Sequence, residues 1–74
     1  MRTVEQTDFP GSSVVRPIRY APDDDELEVR LVNGTAYLYF EVPWIVVDAF
    51  REAPSPGRFF NQEIVNRYRY NRLR

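Results

Sequence analysis

Hydrophobic and polar residues alternate from Glu26 to Leu31 within the run 26–32, where Leu27, Val29 and Leu31 are separated by Glu28 and Arg30. A period of two is that of a half-buried strand. Residues 35–41, Thr-Ala-Tyr-Leu-Tyr-Phe-Glu, form a second strand-like run, and Asn33-Gly34 lies between the two. That dipeptide between alternating runs is the strongest short-range signal for a two-residue type I′ hairpin. Such a turn pairs Leu31 with Ala36, Arg30 with Tyr37, Val29 with Leu38 and Glu28 with Tyr39. The core face then carries Leu27, Val29, Leu31, Ala36, Leu38 and Phe40. Glu28, Arg30, Tyr37 and Tyr39 take the opposite face, because side chains alternate across a strand.

A third strand is expected at 13–20, where β-branched residues surround Pro17. Proline cannot donate to a ladder, so this strand is either an edge or bulged. The Ala-Pro-Asp-Asp-Asp run at 21–25 forms the turn that follows. Three adjacent carboxylates suit either an acidic turn or a calcium ligand set, but the glycine and distal glutamate of an EF-hand loop are missing. Pro43 suits a first helical position, and Val46, Val47, Phe50 and Ala53 then repeat at helical spacing. Trp44 and Ile45 fall off that stripe. Ser55-Pro56 reads as the cap and first residue of a second helix, in which Phe60 and Ile64 share a face. The expected fold is α+β: a three-stranded antiparallel sheet (13–20, 26–32, 35–41), helices at 43–53 and 56–66 on one face, and a short extended C-terminal tail. Residues 1–11 are expected to be a flexible leader and 12–73 a single domain.

Composition removes several chemistries. The chain has 74 residues and lacks histidine and cysteine; all ten basic residues are arginine. Disulfides, thiol nucleophiles, zinc–cysteine clusters and Ser-His or Cys-His pairs are therefore excluded. No pairing of the remaining carboxylates, hydroxyls and arginines suggests catalysis, so a non-enzyme without a cofactor is expected. No apolar run approaches the ~18 residues of a membrane span. Residues 1–11 lack the apolar core of a signal peptide. A cytoplasmic protein, monomeric or weakly dimeric and away from membranes, is expected. The net charge of −1 hides an uneven layout: residues 1–57 carry −5 and residues 58–74 carry +4.

Asn33-Gly34, Tyr37-x-Tyr39, Val42-Pro43, Ser55-x-Gly57-x-Phe59-Phe60-Asn61 and Ile64-x-x-x-Tyr68-x-Tyr70, in this order, resemble the KTSC domain. This small domain is found at the C-terminus of some lysyl-tRNA synthetases and as free-standing proteins of bacteria and phages. The likeness covers roughly residues 12–73. It implies a nucleic-acid-associated module, with RNA the favoured ligand. Trp44 and Ile45 stand where family members tend to be polar, and Val65 where they often carry a basic residue.

The candidate nucleic-acid residues are Arg30, Tyr37, Tyr39, Arg58, Arg67, Tyr68, Arg69, Tyr70 and Arg72. Exposed tyrosines offer faces on which bases stack, and guanidinium groups match phosphate bidentately. The bland reading of Tyr37 and Tyr39 is cross-strand packing, and that of Tyr68 and Tyr70 is a place in the core. Trp44 and Ile45 are candidates for a protein interface, with Trp44 folded against the sheet edge as the alternative. A rival function follows: a small regulator, for instance phage-encoded, that binds a host protein of the transcription or translation machinery.

Overall fold

The hairpin turn that sets the register differs from the expected one. In the computed structural model, which describes residues 3–74, Leu31 N–H donates to Thr35 O at 2.8 Å and Gly34 N–H donates to Leu31 O at 3.0 Å. These bonds close a three-residue loop, Val32-Asn33-Gly34. Only Gly34 takes a positive φ in this loop, at 93°. A type I′ turn would need Asn33 there as well, whereas a type I turn followed by a left-handed glycine bulge needs only the glycine. The Asn33 side chain secures this form by accepting the Thr35 N–H at 2.9 Å.

The added loop residue slips the pairing by one. β3 (Glu26–Leu31) and β4 (Ala36–Tyr39) pair Leu27 with Tyr39, Glu28 with Leu38, Val29 with Tyr37 and Arg30 with Ala36. A one-residue slip moves every side chain of a strand to the other face. Tyr37 and Tyr39 therefore join Leu27 and Val29 on the helix-covered face, while Ala36 and Leu38 join Glu28 and Arg30 on the open one.

The sheet has five strands rather than the three expected. Among the described residues its order is β1-β2-β3-β4-β5, antiparallel throughout. β2 spans Val15–Ala21; its ladder shifts between Val15 and Ile18, so Arg16 and Pro17 together oppose Arg30. Pro17 is thus accommodated by a bulge, and β2 is an inner strand. β5 is the short run Tyr70–Arg72 within the expected tail. β1 (Glu5–Thr7) comes from the segment expected to be a flexible leader, and it pairs with Ile18–Tyr20. Two contacts hold this segment. Arg51 donates to Glu5 Oε1 at 2.6 Å and to Thr7 Oγ1 at 3.0 Å. Phe9 stacks on Phe50 with ring centroids 5.3 Å apart.

Two helical segments cover one face of the sheet. α1 spans Trp44–Glu52 and buries Val47 and Phe50, two members of the expected stripe. α2 (Pro56–Phe59) starts at Ser55, whose side chain accepts the Arg58 N–H at 3.4 Å. It continues as a π-helical turn, Phe60–Ile64, rather than as α-helix to residue 66, and buries Phe60 and Ile64. The core lies between sheet and helices and includes Ile18, Tyr20, Leu27, Val29, Tyr39, Val42, Val47, Phe50 and Ile64. The acidic turn has a structural role within it. Tyr20 Oη donates to Val42 O at 2.8 Å and lies 3.1 Å from Asp25 Oδ1, closing the β2–β3 turn over the core. None of the described helices is long and apolar enough to cross a membrane.

Candidate nucleic-acid interface

The slipped register, the π-helical turn and β5 together assemble a tyrosine cluster. β4 brings Tyr37 and Tyr39 to the helix side, and β5 sets Tyr70 opposite Tyr39 and Arg72 opposite Tyr37. Tyr70 meets Tyr37 edge-on, with centroids 5.5 Å apart and planes at 84°, and lies tilted against Tyr39 at 5.6 Å. Tyr39 also packs edge-on against Phe60 at 6.0 Å. Both edge-on pairs follow from the quadrupole of aromatic rings.

The three tyrosines differ in accessibility. Tyr39 is 3% exposed and belongs to the core, Tyr37 is half-buried, and Tyr70 is 53% exposed. Burial pushes the Tyr39 hydroxyl up to about 12, with Tyr37 and Tyr70 adding to the shift. Beside the cluster runs a groove of about 250 Å³, lined by Tyr37, Tyr39, Phe60, Asn61, Asn66 and Tyr70 among others. Asn66, two residues past the end of the π-helical turn, takes φ of 66°, the left-handed conformation that asparagine tolerates. The site therefore offers one accessible ring face, two amides and a neighbouring guanidinium, with a buried aromatic wall behind them.

The sequence-derived candidates separate in space. Arg30 lies on the opposite face of the sheet from Tyr37 and Tyr39, so the expected Arg30–Tyr37–Tyr39 platform does not form, and Tyr39 cannot present a face to a base. Tyr68 is partly buried and packs against the core. Arg72 stands next to the tyrosine cluster, with Nε bonded to Arg74 O at 2.9 Å. Arg69 sits 5.4 Å over the Phe40 ring. Arg67 donates to Gln62 O at 2.9 Å and approaches Glu63 at 3.9 Å. Arg58 is exposed near the start of α2, in a separate depression with Ser55 and Gln62. Trp44 and Ile45, 63% and 62% exposed, project from the first turn of α1. Asn61 and Asn66 were not among the candidates. Asn61 belongs to the motif that carries the family likeness, and Asn66 has only the slight signal of standing just before the arginine-rich segment.

The KTSC domain family matches residues 11–68. A protein of Stutzerimonas stutzeri is 44% identical over 63 residues, covering 84% of this chain and 89% of its own length. A lysine–tRNA ligase of Nostoc is 33% identical over 64 residues, which are 86% of this chain. The match spans only 11% of that ligase's length. The crystal structure of a KTSC domain protein from Yersinia pestis superposes with a TM-score of 0.86 at 29% identity, covering 97% of this chain and 100% of that one. The order of motifs from Asn33-Gly34 to Tyr70, the match over most of the chain and the likeness of fold have one meaning: the chain belongs to the KTSC domain family.

Proposed function

We propose that this protein is a non-catalytic module that binds RNA, using Tyr70 as a stacking face and arginines for phosphate. The observation that carries this reading is the exposed Tyr70 ring braced by Tyr37 and Tyr39, with Arg72 beside it. A ring held from behind loses little freedom when a base stacks on it, and such stacking is worth about 1–3 kcal/mol per base. The two amides at the groove offer donors and acceptors to base edges. The partial match to lysine–tRNA ligases, proteins that act on an RNA, supports the same ligand class.

Titration of labelled single-stranded RNA at low salt tests the proposal. Tyr70→Ala should weaken binding by about 1–3 kcal/mol with little loss of stability, because the ring is half exposed. No detectable binding by the unaltered protein at low salt would reject it.

A second reading rests on a separate observation. Trp44 and Ile45 form an exposed apolar pair at the start of α1, and tryptophan is enriched among interface hot spots. Under this reading the protein regulates a protein partner, for instance in transcription or translation. Pull-down from a bacterial lysate with and without nuclease separates the two: a partner retained after nuclease and lost with Trp44→Ala favours the protein interface. Partners that all disappear with nuclease count against it.

A further inference from the structure

The open face of the sheet carries a second basic site that the sequence pattern conceals. The bulge in β2 sets Arg16 and Pro17 together opposite Arg30. In the next strand Arg30 is paired with Ala36. Ala36 in turn exchanges backbone hydrogen bonds with Arg74, at 3.3 Å in each direction. One row across the sheet therefore reads Arg16, Arg30, Ala36, Arg74. At ~4.8 Å per strand the row spans about 14 Å. Alanine is the one member without a long side chain, so the row has a gap in its middle. Arg19, two residues beyond Pro17, flanks the row from β2.

These residues line a groove of about 440 Å³, larger in volume than the one beside the tyrosines. Four arginines and Gln6 contribute to its wall, and no acidic side chain does. In a body that carries −5 over residues 1–57, this is a local reversal of sign. The guanidinium groups are partly preset. Arg19 Nε is held by Gln6 Oε1 at 3.3 Å, and Arg30 Nε by Glu28 Oε2 at 2.8 Å. Both bonds engage only Nε and leave the outer nitrogens available. The Arg16 side chain is exposed and makes no hydrogen bond or ion pair among the described residues.

We propose that this groove binds the phosphates of a polynucleotide backbone, with Arg16, Arg19, Arg30 and Arg74 as the contacts. Forked donors along a trough whose wall holds no acidic side chain suit phosphate oxygens bidentately. The site lies on the face away from Tyr70, so a bound strand would reach both by passing around the β5 edge. Naming a nucleic acid as the ligand rests on the RNA reading above; the anion site itself rests on the arginine row alone.

The experiment compares the unaltered protein, R16Q/R19Q and Tyr70→Ala, each confirmed as folded by circular dichroism. Arg16 and Arg19 are both exposed, so their exchange leaves the core intact. Two probes are used: single-stranded RNA followed by anisotropy across a salt series, and inorganic tripolyphosphate followed by arginine Nε–H NMR shifts. R16Q/R19Q should bind RNA about 10-fold or more weaker. Its log K against log salt slope should be shallower by about 1.4, at ~0.7 per lost contact. Tripolyphosphate should shift the Arg19 and Arg30 Nε–H signals. RNA binding unchanged in R16Q/R19Q but lost in Tyr70→Ala would overturn the inference and leave the RNA reading standing. Tripolyphosphate binding without any RNA binding would support the anion site and overturn the RNA reading. Binding of neither probe overturns both.

Discussion

Phe50→Ala should cost about 3–5 kcal/mol, the range for removing a buried phenylalanine, and leave much of the protein unfolded at 25 °C. Phe50 is completely buried in α1. Its ring stacks on Phe9 at 5.3 Å and on Phe59 at 5.1 Å, so one side chain joins the N-terminal segment, the first helix and the second. Alanine would leave a cavity bordered by two other rings and forfeit both stacked pairs, each worth ~0.5–1.5 kcal/mol. A domain of this length has about 4–11 kcal/mol of total stability, so the loss is comparable to the whole. Urea unfolding followed by circular dichroism measures it. Where the alanine variant fails to fold, Phe50→Leu should still be destabilised, by a smaller amount, because part of the volume is kept. Phe9→Ala should act differently: it should speed amide exchange in β1 while the inner strands stay protected. A Phe50→Ala protein within about 1 kcal/mol of the unaltered one would mean that the three rings do not form a cooperative unit.

The same stack shows where sequence patterns stop being informative. The alternation of Leu27, Val29 and Leu31, the stripe through Val47 and Phe50 and the Ser55 cap were all legible, because each depends on residues close in sequence. The α+β class followed from them. The fate of residues 5–9 was not legible. Their polarity suggests a leader, and only the pairing of Glu5–Thr7 with β2, the Arg51 bonds and the Phe9–Phe50 stack make them part of the sheet. These are contacts more than 40 residues apart in the chain for Arg51 and Phe9. β5 was hidden for a similar reason: a three-residue strand with exposed side chains has no hydrophobic pattern of its own.

The candidate site was misread at one residue. Asn-Gly is compatible with a two-residue loop and with a three-residue loop ending in a left-handed glycine, and the dipeptide alone does not choose between them. The choice decides on which face Tyr37 and Tyr39 lie. In the observed register they pack inward, Tyr70 becomes the accessible ring, and Arg30 passes to the open face. There it meets Arg16, whose position depends on the bulge at Pro17. Pro17 did signal a bulge or an edge, but not which arginines the bulge would gather. The ten arginines thus fall into different roles: Arg51 clamps β1 to α1, Arg69 covers Phe40, and four others line the groove on the open face.

The inward tyrosines also predict a steep loss of stability in alkali. Burial first, and the neighbouring Asp25 carboxylate after it, push the Tyr20 hydroxyl from 10.0 up to about 12; Tyr39 is raised to about 12 by burial first and by Tyr37 and Tyr70 after it. In the unfolded chain both ionise near pH 10. Below pH 10 both states hold the protons and the stability is fully present. Between pH 10 and 12 the unfolded state releases two protons that the folded state keeps, so unfolding is favoured progressively as pH rises. Each tyrosine accounts for about 2–3 kcal/mol over this window, at ~1.4 kcal/mol per unit. Together they approach the total stability of a domain of this size. Ionised Tyr20 would lose the proton it donates to Val42 O and place a second negative charge beside Asp25, a repulsion that adds to burial in raising it. Urea unfolding at intervals from pH 9 to 12, alongside tyrosinate absorbance, tests this. The midpoint should fall from pH 10 onward, and Tyr20 and Tyr39 should titrate only as the fold is lost. Tyr20→Phe and Tyr39→Phe should each remove about half of the pH dependence, whatever they cost at neutral pH. Stability that stays level to pH 11.5, or Tyr20 and Tyr39 titrating near pH 10 in the folded protein, would show that neither hydroxyl is held as the structure places it.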